Sequence, residues 1–127
     1  IEMNTHHYIL LLGSNFLAHK HLSIAIELLQ QEFGIHRTSH EMETKAIDMP
    51  NDYPFVNKAV CIQTRLEPTE LIQKIKEMEK QLGRSDEKTL QGIIPIDIDV
   101  ILCDKKVLHS DYETKNYVKK LVKEVSV

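Results

Sequence analysis

The chain has 127 residues, of which 42% are hydrophobic and 28% charged, and it carries a formal net charge of −3. That length suits one domain, residues 1–127, with a single core, and the balance is that of an ordinary globular protein rather than a disordered one. The negative net charge argues against general binding to nucleic acid or to an anionic membrane, while leaving room for a local basic pocket that takes a phosphorylated ligand.

The chain opens on Ile1, and Met3 is the expected natural start. "HYILLLGSN" (7–15) is an apolar run closed by Gly-Ser-Asn, which predicts a buried strand and a turn. It is too short to cross a membrane and makes a poor signal peptide, so the expected location is the cytoplasm. Leu22, Ile26, Leu29 and Phe33 recur at helical spacing and Gly34 supplies a stop, predicting a helix over 17–33. Residues 35–44 mix β-branched and polar side chains and read as one strand with a wet face. A Pro/Asn/Asp loop over 45–54 precedes a long strand at 55–66. Pro68, a stripe of Leu71, Ile75, Met78 and Leu82, and a terminal Gly83 define a second helix over 67–84. "SDEKTLQG" (85–92) reads as loop, "PIDIDVIL" (95–102) as strand, and a turn at "CDKK" leads to a short strand at Val107–Leu108. The segment 111–127 is amphipathic and reads as a final helix. The order β-α-β-β-α-β specifies an α+β, ferredoxin-like fold: an antiparallel sheet with helices on one face and an extra C-terminal strand and helix. Cys61 and Cys103 sit in apolar runs and read as buried free thiols. His6, His7 and the "HKH" at 19–21 read as solvated surface.

Two aspartates, Asp97 and Asp99, interrupt the most apolar part of the last long strand. At i and i+2 they share one face, while Ile96, Ile98 and Val100 take the other. Carboxylates so close repel unless a proton or cation lies between them. Magnesium uses one or two carboxylates and fills its other positions with water and phosphate oxygens. The pair therefore suggests a magnesium–nucleotide site, the alternative being a sheet face that is simply wet.

Several pieces in fixed order bear on that choice: "YILLLGSN", "FVNKAV", the helix opening "LEPTEL", "MEKQLGR" and "IDIDVIL". Together they resemble the 6-hydroxymethyl-7,8-dihydropterin pyrophosphokinase family of folate biosynthesis, over roughly residues 8–120. The resemblance implies an enzyme that transfers the β,γ-diphosphate of ATP to the hydroxymethyl group of the pterin. It implies two Mg2+ ions on Asp97 and Asp99, with ATP as co-substrate and Arg84 as a further catalytic residue. By the same resemblance Thr44, Phe55 and Asn57 contact the pterin, and Glu79, Arg84, Lys88 and Tyr112 surround the nucleotide. The implied partners are small molecules, with no nucleic acid or membrane, acting on a monomer.

The family pattern is not kept throughout. Ile94 stands where the G-P-R-x-x-D-x-D motif has its phosphate-binding arginine, and Asp86 and Gln91 replace an arginine and a tryptophan. Near the C-terminus Asp111, Tyr117 and Lys119 replace the histidine, arginine and phenylalanine of H-Y-x-x-x-N-R-x-F. Lys88 and Lys115 could return positive charge, without the bidentate fork of arginine. The main alternative is therefore a non-catalytic relative that binds a nucleotide or pterin in a regulatory role. An RNA-binding domain of the same fold is disfavoured, since "YILLLG" and "FVNKAVCIQ" each carry one aromatic residue, at the end.

Overall fold

Five consecutive apolar residues, Tyr8–Leu12, leave the first strand no wet face, so it requires cover on both sides. The computed structural model, which describes residues 5–126, supplies that cover. Strand β1 (His6–Ser14) lies inside a sheet ordered β2-β4-β1-β5-β6, in which every pairing is antiparallel. β2 is Ile35–Thr38, β4 is Phe55–Thr64, β5 is Asp97–Cys103 and β6 is Lys106–Val107. A further strand, β3 (Met42–Thr44), also pairs with β4.

Tyr8, Leu10 and Leu12 point to the face covered by α1 (Ala18–Phe33) and α2 (Pro68–Gln81). They meet Leu22, Ala25 and Leu29 of the first helix and Leu71 and Ile75 of the second. Both helices end as the sequence indicates, at Gly34 and Gly83, whose positive φ angles other residues rarely adopt. A capping box between Glu67 and Glu70 opens α2, with Pro68 in its first turn.

Ile9 and Leu11 point the other way, into a second core with Ala59, Cys61 and Ile101. The last helix, α5 (Asn116–Val125), closes this face with Val118, Leu121, Val122 and Val125. The expected two helices do share one face, and the extra C-terminal helix takes the opposite one.

Four local expectations need correction. The single strand over 35–44 is two, because Ser39 leaves the ladder: its N–H donates to Ala59 O, and its Oγ accepts the Ala59 N–H. The loop at 85–92 contains a short helix, α3 (Asp86–Leu90), whose Ser85 cap accepts the Lys88 N–H. The final helix is divided at Lys115, which is extended, into α4 (Asp111–Thr114) and α5. The short last strand is Lys106–Val107 rather than Val107–Leu108. Met3 lies outside the described residues. Both cysteines are free and buried, as expected.

Candidate functional site

Strand register builds the site. Gly13 on β1 pairs with Asn57 on one side and Asp97 on the other, and Leu11 pairs with Asp99. Residues level with one another in neighbouring strands share a face. Asn57, Gly13, Asp97 and Asp99 thus form a polar patch beside the second core, while Ile96, Ile98 and Val100 enter the first.

A cleft of about 260 Å³ opens over this patch, with Thr44, Phe55, Asn57, Asp97, Asp99 and Tyr117 among its walls. Asn57 is only 4% exposed, and its amide is oriented by two bonds. Nδ2 donates to Met42 O at 3.0 Å and to Thr44 Oγ1 at 2.9 Å. The Met42 carbonyl can only accept, so the amide nitrogen must face it. Both donors are thereby spent inside the protein, and Oδ1 alone is left for a ligand. A Cβ added at Gly13 would stand 3.1 Å from that oxygen and 3.7 Å from the Phe55 ring. Glycine keeps the approach to Oδ1 open.

On the other side of the aspartates lies a second cleft of about 320 Å³. Ile72, Ile75, Val100 and Leu108 make its apolar part, and Lys76, Arg84 and His109 bring cationic or titratable groups. Glu79, on the buried stripe of α2, accepts the Ile98 N–H at 2.7 Å and an Arg84 Nη1–H at 3.0 Å. The same Arg84 nitrogen lies 2.7 Å from Asp97 Oδ1. Glu79 fixes the strand edge and the guanidinium together, and burial pushes its carboxyl up from the ordinary value. Asp99 is pushed up to about 8, first by burial and then by Asp97 beside it. A cation would relieve that repulsion.

Asp97 and Asp99 wall both clefts. Their hard, adjacent carboxylate oxygens fit a divalent ion such as Mg2+. Asp99 also groups with His109 and Asp111, one ligand atom from each lying within 4.8 Å of the others. His109 escaped the sequence reading. Its signal was its position two residues before Asp111, where the family pattern has a histidine.

Of the residues singled out from sequence, Thr44, Phe55 and Asn57 line the first cleft with the aspartates, and Glu79 and Arg84 line the second. Lys88 and Tyr112 line neither. The Lys88 ammonium donates to Gly83 O at 2.9 Å, at the end of α2. Tyr112 packs against the second core, with the Lys119 ammonium 5.4 Å from its ring centre. Lys45, Asp111, Lys115 and Tyr117 line the first cleft, the Lys115 ammonium lying 3.3 Å from Asp111 Oδ2. Asp86 and Gln91 are exposed.

Ile94 is 5% exposed and lines neither cleft. Its backbone is held by Asn15, whose Oδ1 accepts the Ile94 N–H at 2.7 Å and whose N–H donates to Ile94 O. His6, expected as solvated surface, is half-buried at the surface, its ring standing between Glu67 and Asp104. A larger cavity of about 440 Å³, bordered by Ile9, Cys61, Leu102 and Val125, lies at the opposite end of β1. It lacks converging carboxylates, so its size alone does not make it the site.

Residues 9–127 match the family model described as 7,8-dihydro-6-hydroxymethylpterin-pyrophosphokinase. The chain is 36% identical over 97 residues to a 2-amino-4-hydroxy-6-hydroxymethyldihydropteridine pyrophosphokinase of Porphyromonas gingivalis, covering 72% of this chain and 65% of that protein. It is 37% identical over 86 residues to the enzyme of that name from Aquifex aeolicus, covering 68% of this chain and 53% of the other. To the mitochondrial folate synthesis bifunctional protein of Pisum sativum it is 33% identical over 116 residues, which cover 90% of this chain and 22% of the plant protein. The matches thus span less than two thirds of these relatives' own lengths. With a family model matched from Ile9 to the last residue, this chain belongs to the 7,8-dihydro-6-hydroxymethylpterin-pyrophosphokinase family.

Proposed function

We propose that the chain catalyses transfer of diphosphate from ATP to 6-hydroxymethyl-7,8-dihydropterin in folate biosynthesis, as a cytoplasmic single-domain monomer. The observation that carries this reading is the common wall: Asp97 and Asp99 border both clefts, so two substrates can meet across one pair of carboxylates. The reaction requires that arrangement. The hydroxymethyl oxygen attacks the β-phosphorus of ATP and gives up its proton to solvent, the bond from that phosphorus to the α-bridging oxygen breaks, and AMP leaves.

The cleft beside Asn57 suits the pterin. Asn57 Oδ1 accepts a hydrogen bond from the ring's N–H edge, and Phe55 offers an apolar face beside it. Thr44 holds the amide in that orientation. The cleft beside α2 suits the nucleotide, with Ile72, Ile75, Val100 and Leu108 against the base and Arg84, Lys76 and His109 toward the phosphates. Asp97 and Asp99 would hold Mg2+, two ions by the family likeness, which when bound neutralises phosphate charge. Arg84 exchanges part of its bonding to Glu79 and Asp97 for phosphate oxygens, and Glu79 keeps its orientation.

A second reading is favoured by one observation. Arg84 is already shared between two carboxylates and Ile94 is buried, so the phosphate clamp is thin. A binding protein with little turnover would look the same. Purified protein with ATP, Mg2+ and the hydroxymethyl dihydropterin, assayed for AMP, separates the two. Pterin-dependent AMP supports the enzyme; nucleotide and pterin binding without AMP supports the silent relative.

A further inference from the structure

The start of β1 gathers a second, chemically different set of metal-ligating side chains. His6 Nδ1 lies 2.5 Å from Asp104 Oδ2, and Cys103 Sγ lies 3.8 Å from the same oxygen. One ligand atom from each of the three falls within 4.8 Å of the others. Two neighbouring strands and a tight turn bring them together. Asp104 and Lys105 both have positive φ, as a two-residue hairpin turn between β5 and β6 requires. The turn is tied to β1, its Asp104 N–H donating to His7 O and its Asp104 Oδ1 accepting the His7 N–H, both at 2.8 Å. Asp104 Oδ2 is therefore aimed at His6.

The other imidazole nitrogen is also occupied. His6 Nε2 lies 2.6 Å from Glu67 Oε2, at the opening of α2. A carboxylate on the distal nitrogen is the usual second partner of a metal-bound histidine, because it fixes the tautomer and strengthens the ligand. An imidazole facing carboxylates at both nitrogens needs a positive charge there, supplied by a second proton or by a metal ion at Nδ1. Glu67, Asp104 and a thiol around one imidazole make a site short of positive charge. Sulfur and nitrogen donors select a borderline transition ion over Mg2+.

We propose that His6, Cys103 and Asp104 form a binding site for Zn2+ or a similar borderline divalent ion, oriented by Glu67 and separate from the Asp97–Asp99 site. The ion displaces the thiol and imidazolium protons to solvent, and the thiolate and carboxylate balance its charge. A fourth position is left for water. The site clips the start of β1 to the β5–β6 turn, about 23 Å from Gly13 at the usual strand rise.

Titration of the metal-free, reduced protein with Co2+ tests the proposal, because thiolate ligation gives a sulfur-to-cobalt charge-transfer band that Mg2+ sites cannot give. One equivalent of Co2+ should develop the band, in competition with Zn2+, and Cys61→Ala should retain it. Cys103→Ala should abolish it. Glu67→Gln should weaken Co2+ affinity about 10-fold or more, and so should His6→Gln, both judged by the same band. Saturating Co2+ without the band, or a band lost in Cys61→Ala and kept in Cys103→Ala, would overturn the proposal. So would an affinity unmoved by His6→Gln.

Discussion

The two ends of β1 each collect carboxylates and each lies beside a cavity, but only at one end do two carboxylates wall the cavity side by side. At the Gly13 end, Asp97 and Asp99 stand side by side between two clefts, with Arg84 2.7 Å from Asp97 and His109 3.7 Å from Asp99. At the His6 end, Glu67 and Asp104 lie on opposite sides of a single imidazole, which is engaged at both nitrogens. Like charges are kept together in two ways. The second pair is reconciled by a ring between its members. The first has no such ring: burial and the neighbouring Asp97 hold the Asp99 carboxyl well above its ordinary value.

The largest effect is expected at the open end. Asp97→Asn or Asp99→Asn should lower AMP formation by a factor of about 10² to 10³ each. Both proteins should melt as cooperatively as the parent. Equal activity in either variant would make the aspartates a wet sheet face after all.

Ile94→Arg probes the departure from the family motif. Sequence reasoning alone suggests that restoring the arginine restores phosphate binding. The side chain is buried, however, and a guanidinium there would be taken out of water. A loss of about 3–5 kcal/mol in denaturant-measured stability is expected instead. A faster enzyme of unchanged stability would show that the 92–95 segment swings outward to meet the nucleotide.

Asn57→Ala should weaken pterin binding about 10-fold more than ATP binding, because only the first cleft contains Oδ1. Calorimetry with each ligand separates that from a general loss. Gly13→Ala should act in the same direction and less strongly, since its Cβ crowds the same oxygen at 3.1 Å.

The pH dependence of stability gives the gentlest test. Asp99 is raised above its unfolded value, so the folded protein keeps a proton that the unfolded chain has released. That stability is fully present below about pH 4 and is lost as pH rises toward about 8. Metal-free protein should therefore melt at a lower temperature across this window, beyond whatever His6 contributes in the same direction. Asp99→Asn should remove that part of the decline.

Much of the fold was legible because burial demands are periodic. The stripe Leu71–Ile75, the apolar Tyr8–Leu12 and the alternation around Asp97 each allowed one arrangement. The short features were not legible. Ser39 leaves its ladder, Lys115 breaks a helix, and α3 forms in a polar stretch, because each depends on one or two hydrogen bonds or a turn. Within the site, same-face spacing gave the aspartates their common side. The spent donors of Asn57 and the burial of Ile94 depend on Met42, Thr44 and Asn15, far off in the chain.

The order of residues is enough to set Asp97 and Asp99 opposite their flanking isoleucines, because strand geometry is local. The same order marks where the two long helices stop, since a positive φ is a property of the residue that adopts it. Which charges meet is settled by folding in three dimensions. Glu79 reaches Arg84 and Ile98, and His6 reaches Glu67 and Asp104, across separations of up to 98 residues. Electrostatic partners are chosen by distance in space and by exclusion of water, and neither is written in the order of the chain.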